Sequence, residues 1–449
     1  MQTWYFAAWA ILAFGTMSAA CTDTESTDGP GQTSAGLHEI NDVPAGDPSK
    51  TLVITGATLI DGRGGQPVAD AVVVVRGNRI VAAGAKQAVQ APAGAETVDA
   101  HGLTVLPGWV DAFFTIDGDN DLPALFLRHG ITTVKDPGQW IEAYDVPRNS
   151  GVPIPRLFLT GPVLDSPPPA YPTDSYLVRD DDEAKLGVNR FVDQGASAIK
   201  AYYRLPLGLV RTVTQAAHAR GVPVTAHLEI VDARDAIRAG VDGIDFATSF
   251  GTSLVPTREA EKYRQAVIAD NGARAEGRYQ VWSSVDLQSP RVNEVLDLAI
   301  AHGTTIVAAL EPFERRQGDP NTTEMHLRGF QNMLKFVGLA HERGVRIAVG
   351  SHAKGPHSER GWGYQHELEL LVESGLRPMD AIVAGTKRNA EFFRTSGRLG
   401  TIERDKLADL VFIEGDPLAD IRVTRNVRRV MLNGRWIVEP TAPQANAQP

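Results

Sequence analysis

Short runs of β-branched residues separated by Gly and Asp begin the regular patterning at Thr51. Leu52-Val53-Ile54, the run 71–75 and Arg79-Ile80-Val81 predict strands, with Asp61-Gly62 and Arg76-Gly77-Asn78 as turn chemistry between them. The implied unit is a small antiparallel β domain. After Gly108 the pattern changes to short buried strands alternating with longer amphipathic stretches. Strands are expected at 110–114, 132–135, 156–160, 198–201, 223–227, 243–246, 305–309 and 346–349. Helices are expected at 207–220, 231–239, 291–302 and 329–343. This alternation predicts an α/β fold with a (β/α)8 TIM-like barrel. The charged and polar stretch 251–290 reads as an insertion after the sixth strand, placed to cover the barrel mouth.

The two ends depart from this rhythm. An apolar run from Trp4 to Met17 is too short to span a bilayer and has the length of a signal-peptide core. It ends in Ser18-Ala19-Ala20-Cys21, which resembles a bacterial lipoprotein processing site with Cys21 as the lipidated residue. No Lys or Arg precedes the run, and Ser18 stands where Leu is usual; a plain secretory cleavage site and a buried cysteine are the alternatives. The expectation is an exported protein, periplasmic or membrane-anchored through lipid alone. Residues 22–49 are rich in Ser, Thr, Gly, Pro and Asp and predict a flexible linker, and 441–449 a disordered tail.

Composition narrows the partners. With 44 basic against 54 acidic residues the formal charge is -10, which argues against nucleic acid and anionic membrane surfaces. A single cysteine excludes an intrachain disulfide framework and a thiolate metal cluster.

The stretch 106–115, Leu-Pro-Gly-Trp-Val-Asp-Ala-Phe-Phe-Thr, resembles the barrel opening of the amidohydrolase superfamily. That pattern continues Asp-x-His-x-His, and Phe113 and Thr115 stand in the two histidine positions. Three further motifs carry the resemblance: Gly195-Ala196-Ser197-Ala198-Ile199-Lys200, the run 367–372 with Thr386 and Asn389-Ala390, and the C-terminal run 406–413 followed by Gly415-Asp416-Pro417-Leu418. The similar branch is imidazolonepropionase-like and prolidase-like. The resemblance implies a small discontinuous β-sandwich domain from 50–106 plus 396–440, and a barrel over 107–395. It also implies hydrolysis of C–N bonds in amides, cyclic amides or dipeptides, and self-association as a homo-oligomer.

Carried over position by position, the resemblance keeps the lysine of strand four as Lys200 and the histidine of strand five as His227. Phe246 replaces the histidine of strand six, and His352 replaces the aspartate of strand eight. Lys200, His227 and His352 are therefore the candidate ligands of one zinc or other divalent metal, the ligand count a catalytic zinc prefers. A metal-free pocket is the alternative, with Lys200 as base or nucleophile and His352 as proton shuttle. Side-chain alternation predicts Phe246 facing the interior and Asp245 facing the helices.

Tyr202, Tyr203 and Arg204 follow Lys200 and are candidates for holding a substrate carboxylate; His357 and Arg360 follow strand eight in a Gly/Pro-containing loop and are candidates for facing the substrate. Glu311 is expected as an exposed residue before Pro312, or as an acid or base. His366 is expected in a structural role, and His218, His302 and His341 on helix surfaces. Three functions compete: a C–N hydrolase acting on a small molecule or short peptide, a metal-free barrel doing isomerase or lyase chemistry, and a noncatalytic envelope ligand-binding protein.

Overall fold

The computed structural model describes residues 37–438. The expected signal peptide with Cys21 and the expected tail lie outside the described residues. Among those described, no helix is long and apolar enough to cross a membrane.

Both ends of the described chain meet in one sheet. Its order runs from Arg435–Val438 through Val427–Leu432, Leu410–Glu414, Leu103–Pro107, Thr51–Leu59 and Val68–Arg76 to Arg79–Ala85, with Glu96–Asp99 also on Thr51–Leu59. The C-terminal strands join through Leu410–Glu414, which pairs antiparallel with Leu103–Pro107 so that Leu410 faces Pro107. Thr51–Leu59 pairs in parallel with Glu96–Asp99 and with Leu103–Pro107, so the sheet is mixed where hairpins alone were predicted. The chain crosses back after Ala85 instead of turning at once. Ile54, Val73, Val105, Leu410, Phe412 and Met431 share one buried cluster, so one face of the whole sheet wraps around a single apolar core.

The barrel strands are β1 (Trp109–Asp111), β2 (Ile131–Asp136), β3 (Arg156–Leu159), β4 (Ile199–Ala201), β5 (Val224–Ala226), β6 (Gly243–Asp245), β7 (Thr305–Val307) and β8 (Ile347–Ala348). Each lies within or beside a stretch where the sequence predicts a strand. β1 to β3 pair in parallel, and β4 to β8 pair in order. Two backbone bonds close the circle: Ala112 N donates to the Val349 carbonyl and Ser197 N to that of Leu159, both at 2.8 Å. The helices bury one apolar stripe each. Pro290–His302 shows why they stop and start where they do: Ser289 caps its N-terminus, Pro290 opens it, and Gly303 ends it at φ 65°.

Three features differ from expectation. Residues 37–49 are not a free linker: Leu37 is buried, Ile40 N donates to the Leu157 carbonyl at 3.0 Å, and Glu39 pairs with Arg156 at 2.9 Å. A few apolar residues and one well-placed carboxylate anchor a segment whose average composition is polar. Two short strands, Val163–Asp165 and Ser175–Leu177, extend the sheet beside β4 and bring Tyr171 to the barrel mouth. The insertion is helical, forming α1 (Gly251–Leu254), α2 (Thr257–Ala269) and α3 (Arg274–Ser284), and α3 packs over the mouth.

Candidate active site

The C-terminal ends of the strands surround a cavity of about 480 Å³, the place where barrels of this kind hold their chemistry. Its floor is ionic. Lys200, on β4, is 1% exposed and forms an ion pair with Asp245 at the end of β6. Lys135, at the end of β2, is equally buried; its ammonium has no hydrogen-bond partner and lies 4.6 Å from the centre of the Phe392 ring. Burial pushes the Lys135 ammonium down to about 8. Burial also lowers Lys200 while Asp245 opposes the fall. For Asp245 burial alone would raise the carboxyl, but Lys200 and Lys135 outweigh it and hold it below its ordinary value.

The walls are aromatic. The Phe113 and Phe246 rings are 4.6 Å apart, and His352 stacks on Phe113 at 5.5 Å. His227 meets Phe246 edge-on at 4.8 Å, and Phe313 meets it at 5.3 Å. Burial depresses both imidazoles to about 4, so both are uncharged at neutral pH. His227 faces the Glu229 carboxylate through Nε2 at 3.1 Å. A carboxylate only accepts, so Nε2 carries the proton and Nδ1 is left as a buried acceptor without a partner. Glu229 also accepts from Arg278 Nε at 2.6 Å and from the Tyr263 hydroxyl at 2.5 Å. Burial would raise the Glu229 carboxyl, yet Arg278 and His227 bring it down to about 2. Arg278 belongs to α3 and Tyr263 to α2, so the insertion builds one side of the cavity.

Strand alternation breaks down at the end of β6. Asp245 points to Lys200, inside the barrel, yet Phe246 also lines the cavity. The reason is the Phe246 backbone at φ 70°, which turns its side chain back inward instead of letting it alternate. His352 has the same left-handed backbone at φ 54°.

Residues 125–437, well over half of the chain, match the Amidohydrolase family. The chain belongs to that family. Over 100 residues it is 41% identical to an N-acyl-D-aspartate deacylase of Alcaligenes xylosoxydans xylosoxydans, a match spanning 21% of this chain and only 18% of that enzyme. Its fold is similar to that of a Xaa-Pro dipeptidase solved with methionine bound: TM-score 0.68, 23% identity, 86% of this chain and 99% of that one. A putative prolidase from Bifidobacterium longum gives 0.67 at 22% identity, covering 88% and 97%, and A. niger ochratoxinase 0.68 at 17%, also covering 88% and 97%.

Measured against amidohydrolases, the side chains here do not fit the metal that the family uses. Phe113 and Phe246 put apolar rings where ligands are expected, and the Lys200 amine is engaged by Asp245. The Phe246 ring lies 4.8 Å from His227 and 5.8 Å from His352. Among the described residues no three His, Cys, Asp or Glu side chains gather as a metal-binding group. Lys200, His227 and His352 line one cavity.

The other candidates divide. Tyr202 lines the cavity. Tyr203 is buried behind it with its hydroxyl on Asn271 at 3.1 Å, and Arg204 is engaged by Asn271 and the carbonyls of Val267 and Ile268. These two fasten the insertion and lie outside the cavity lining. His357 pairs with Asp319 at 2.8 Å and Arg360 with Asp119 at 2.7 Å, both outside the lining. His366 bridges Glu314 at 2.5 Å and Glu369 at 3.0 Å; these bonds outweigh burial and raise it to about 9. His218 and His341 pair with Asp242 and Asp380 on the surface.

Glu311 is fully buried, not exposed. The loop after β8 closes on it so tightly that a Cβ at Gly355 would sit 1.9 Å from its carboxyl carbon. It accepts from the Ser358 hydroxyl, its second oxygen has no partner, and burial raises it to about 7. Lys135, Glu229 and Arg278 are not among the candidates that the sequence offered. Lys135 carries the signal that marked Lys200, a lysine closing a buried strand. Glu229 and Arg278 carry none, because what defines them is each other.

Proposed function

We propose that this amidohydrolase-family chain cleaves an amide-type C–N bond of a small molecule or short peptide, using a site in which the family's metal-binding set has been reduced. The observation that carries this reading is the buried Lys200–Asp245 pair at the floor of the cavity, beside the uncharged imidazole of His352. A lysine ammonium kept charged by a carboxylate is a fixed donor for the oxygen that gains negative charge when water adds to an amide carbonyl. Neutral His352 accepts the proton of the attacking water and returns it to the departing nitrogen. The C–N bond breaks, the acid and amine form, and His352 ends uncharged as it began. Phe113, Phe246 and Phe313 exclude bulk water, which strengthens the Lys200 interaction.

The test is release of free amine from N-acyl amino acids, dipeptides and cyclic amides, run with and without a chelator. The expected result is turnover that survives chelation and is lost in Lys200→Met and in His352→Asn. Turnover that disappears on chelation and returns with zinc would overturn the reduced site. Export is part of the same proposal. Expressed in a bacterium, the full chain is expected in the envelope fraction carrying lipid at Cys21, and Cys21→Ala is expected in the soluble fraction. Wild-type chain recovered from the cytoplasm without lipid would overturn it.

A further inference from the structure

The loop after β8, residues 352–361, lies as a strap over the buried Glu311 carboxyl. Both of its ends are sharply bent. His352 and Ala353 have left-handed backbones at φ 54° and 66°, which non-glycine residues rarely adopt, and Gly361 has φ 91°. His129 holds the far end, its ring stacked on Trp362 at 3.7 Å and its Nδ1 donating to the Gly361 carbonyl at 2.8 Å. Between the ends, Lys354, His357 and Arg360 pair with Asp117, Asp319 and Asp119 at 3.1, 2.8 and 2.7 Å. These are surface pairs, and each holds little by itself.

What the strap covers is a carboxyl group without a cation of its own. Gly355 sits directly on it. The Ser358 hydroxyl donates to one oxygen, and the other has no partner among the described residues. The ionisable groups that face it are Glu314 from its own turn, Asp111 from β1, and His366 and Glu367 from the helix Gly363–Glu373. Three of these are acids, and the cation, His366, is already held by Glu314 and Glu369. A carboxyl buried in such company is tolerated when neutral and costly when ionised. Lifting the strap would give the ionised group water in place of Gly355.

We propose that residues 353–361 are an acid-closed strap: neutral Glu311 holds them down beside the barrel mouth, and ionised Glu311 releases them. The strap does not depend on the hydrolase reading above. His352 at its root and Asp117 beneath Lys354 both line the cavity, so release loosens one wall of it. Burial raises the Glu311 carboxyl to about 7 from an ordinary 4.5, which sets the sign. Closure is complete below about pH 4.5, weakens as pH rises, and levels off above about pH 7. Between pH 6 and pH 8 the open fraction is expected to grow about tenfold.

Trypsin digestion of the full chain reads the opening, because Lys354 and Arg360 lie within the strap. Initial rates of cutting after these two residues are divided by those for a free peptide of the same sequence, which removes trypsin's own pH dependence. The wild-type ratio is expected to rise about tenfold from pH 6 to pH 8, and that of Glu311→Gln to stay flat. Gly355→Ala places a Cβ 1.9 Å from the carboxyl carbon and is expected to be cut faster than wild type at pH 6. His357→Gln is expected to keep the wild-type rise. A flat wild-type ratio, or a rise that persists in Glu311→Gln, would overturn the strap. A rise lost in His357→Gln would overturn it in favour of the His357–Asp319 pair, and Gly355→Ala cut no faster than wild type would overturn the covering role of Gly355 on which it stands. Should Glu311→Gln fail to fold, the wild-type rise, Gly355→Ala and His357→Gln decide the matter.

Discussion

Two buried ion clusters lie at opposite ends of the barrel, and they are built differently. At the strand N-termini, Arg156 gives Nε and one terminal nitrogen to the two oxygens of Asp409 at 2.9 and 3.2 Å, and its other terminal nitrogen to Glu39 at 2.9 Å. Asp409 also accepts from Asn433 N at 2.6 Å. Donors and acceptors there are matched, and the cluster ties the N-terminal segment, the barrel and the C-terminal sheet together. At the strand C-termini one oxygen of Asp245, one of Glu311, and Nδ1 of His227 and of His352 all lack partners. A satisfied cluster rigidifies a fold, whereas unpartnered polar groups beside a cavity are what a site for chemistry leaves open.

That contrast breaks first at Lys200. Replacing the pair as Lys200→Met with Asp245→Asn is expected to lower turnover roughly 10²–10⁴-fold, because one positioned donor is lost, while the melting temperature holds. A double variant that unfolds would make the mouth cluster structural after all. Arg156→Met is expected to do the opposite. Asp409 would remain buried without a cation, while Glu39 keeps Arg398 at 2.9 Å; the loss costs roughly 3–5 kcal/mol of stability, while turnover per folded molecule stays unchanged. Chemical denaturation measures the first quantity and kcat on the folded fraction the second.

Glu311 gives a test with a sign. Its folded carboxyl is raised to about 7 from an ordinary 4.5, so the folded state binds the proton more tightly. Stability is then greatest at low pH and declines as pH rises through about 7, by roughly 3 kcal/mol in all. Glu311→Gln removes the penalty: its melting temperature is expected above wild type at pH 8, with the gain shrinking towards pH 5. Equal gains at both pH values would show that charge is not the cause.

His366 has the smallest expected effect; its contribution falls with rising pH as that of Glu311 does, but here the substitution costs stability. Its folded value, raised to about 9 from 6.5, stabilises the cation between Glu314 and Glu369. That contribution is full below about pH 6.5 and lost as pH rises through 9. His366→Gln is expected to cost roughly 1–2 kcal/mol at pH 6 and little at pH 10, followed by thermal melts across that range. A loss that does not vary with pH would reduce His366 to a packing role.

Much of the architecture was legible in the residues. Strand-forming runs punctuated by Gly and alternating with amphipathic stretches placed each barrel strand within or beside its observed span, since burial periodicity is a local property. Lys200, His227 and His352 stand at strand ends, and all three line one cavity. Arg204 and Tyr203 do not, because the direction of a loop after its strand depends on what it packs against, here Asn271 of the insertion. Residues 37–49 misled in the same way: average composition hid the few side chains that dock.

By itself the sequence determined the fold, since spacing and residue type are written along the chain. Only the tertiary structure decided which charges meet. Asp245 turns to Lys200 while Phe246 also points inward, through a backbone angle that alternation does not encode. Arg278 finds Glu229 across 49 positions, and Arg274, one turn away on the same helix, is left without a carboxylate. Pairing of buried charges is long-range in sequence and fixed by contact distance, so it is settled where the chain comes together.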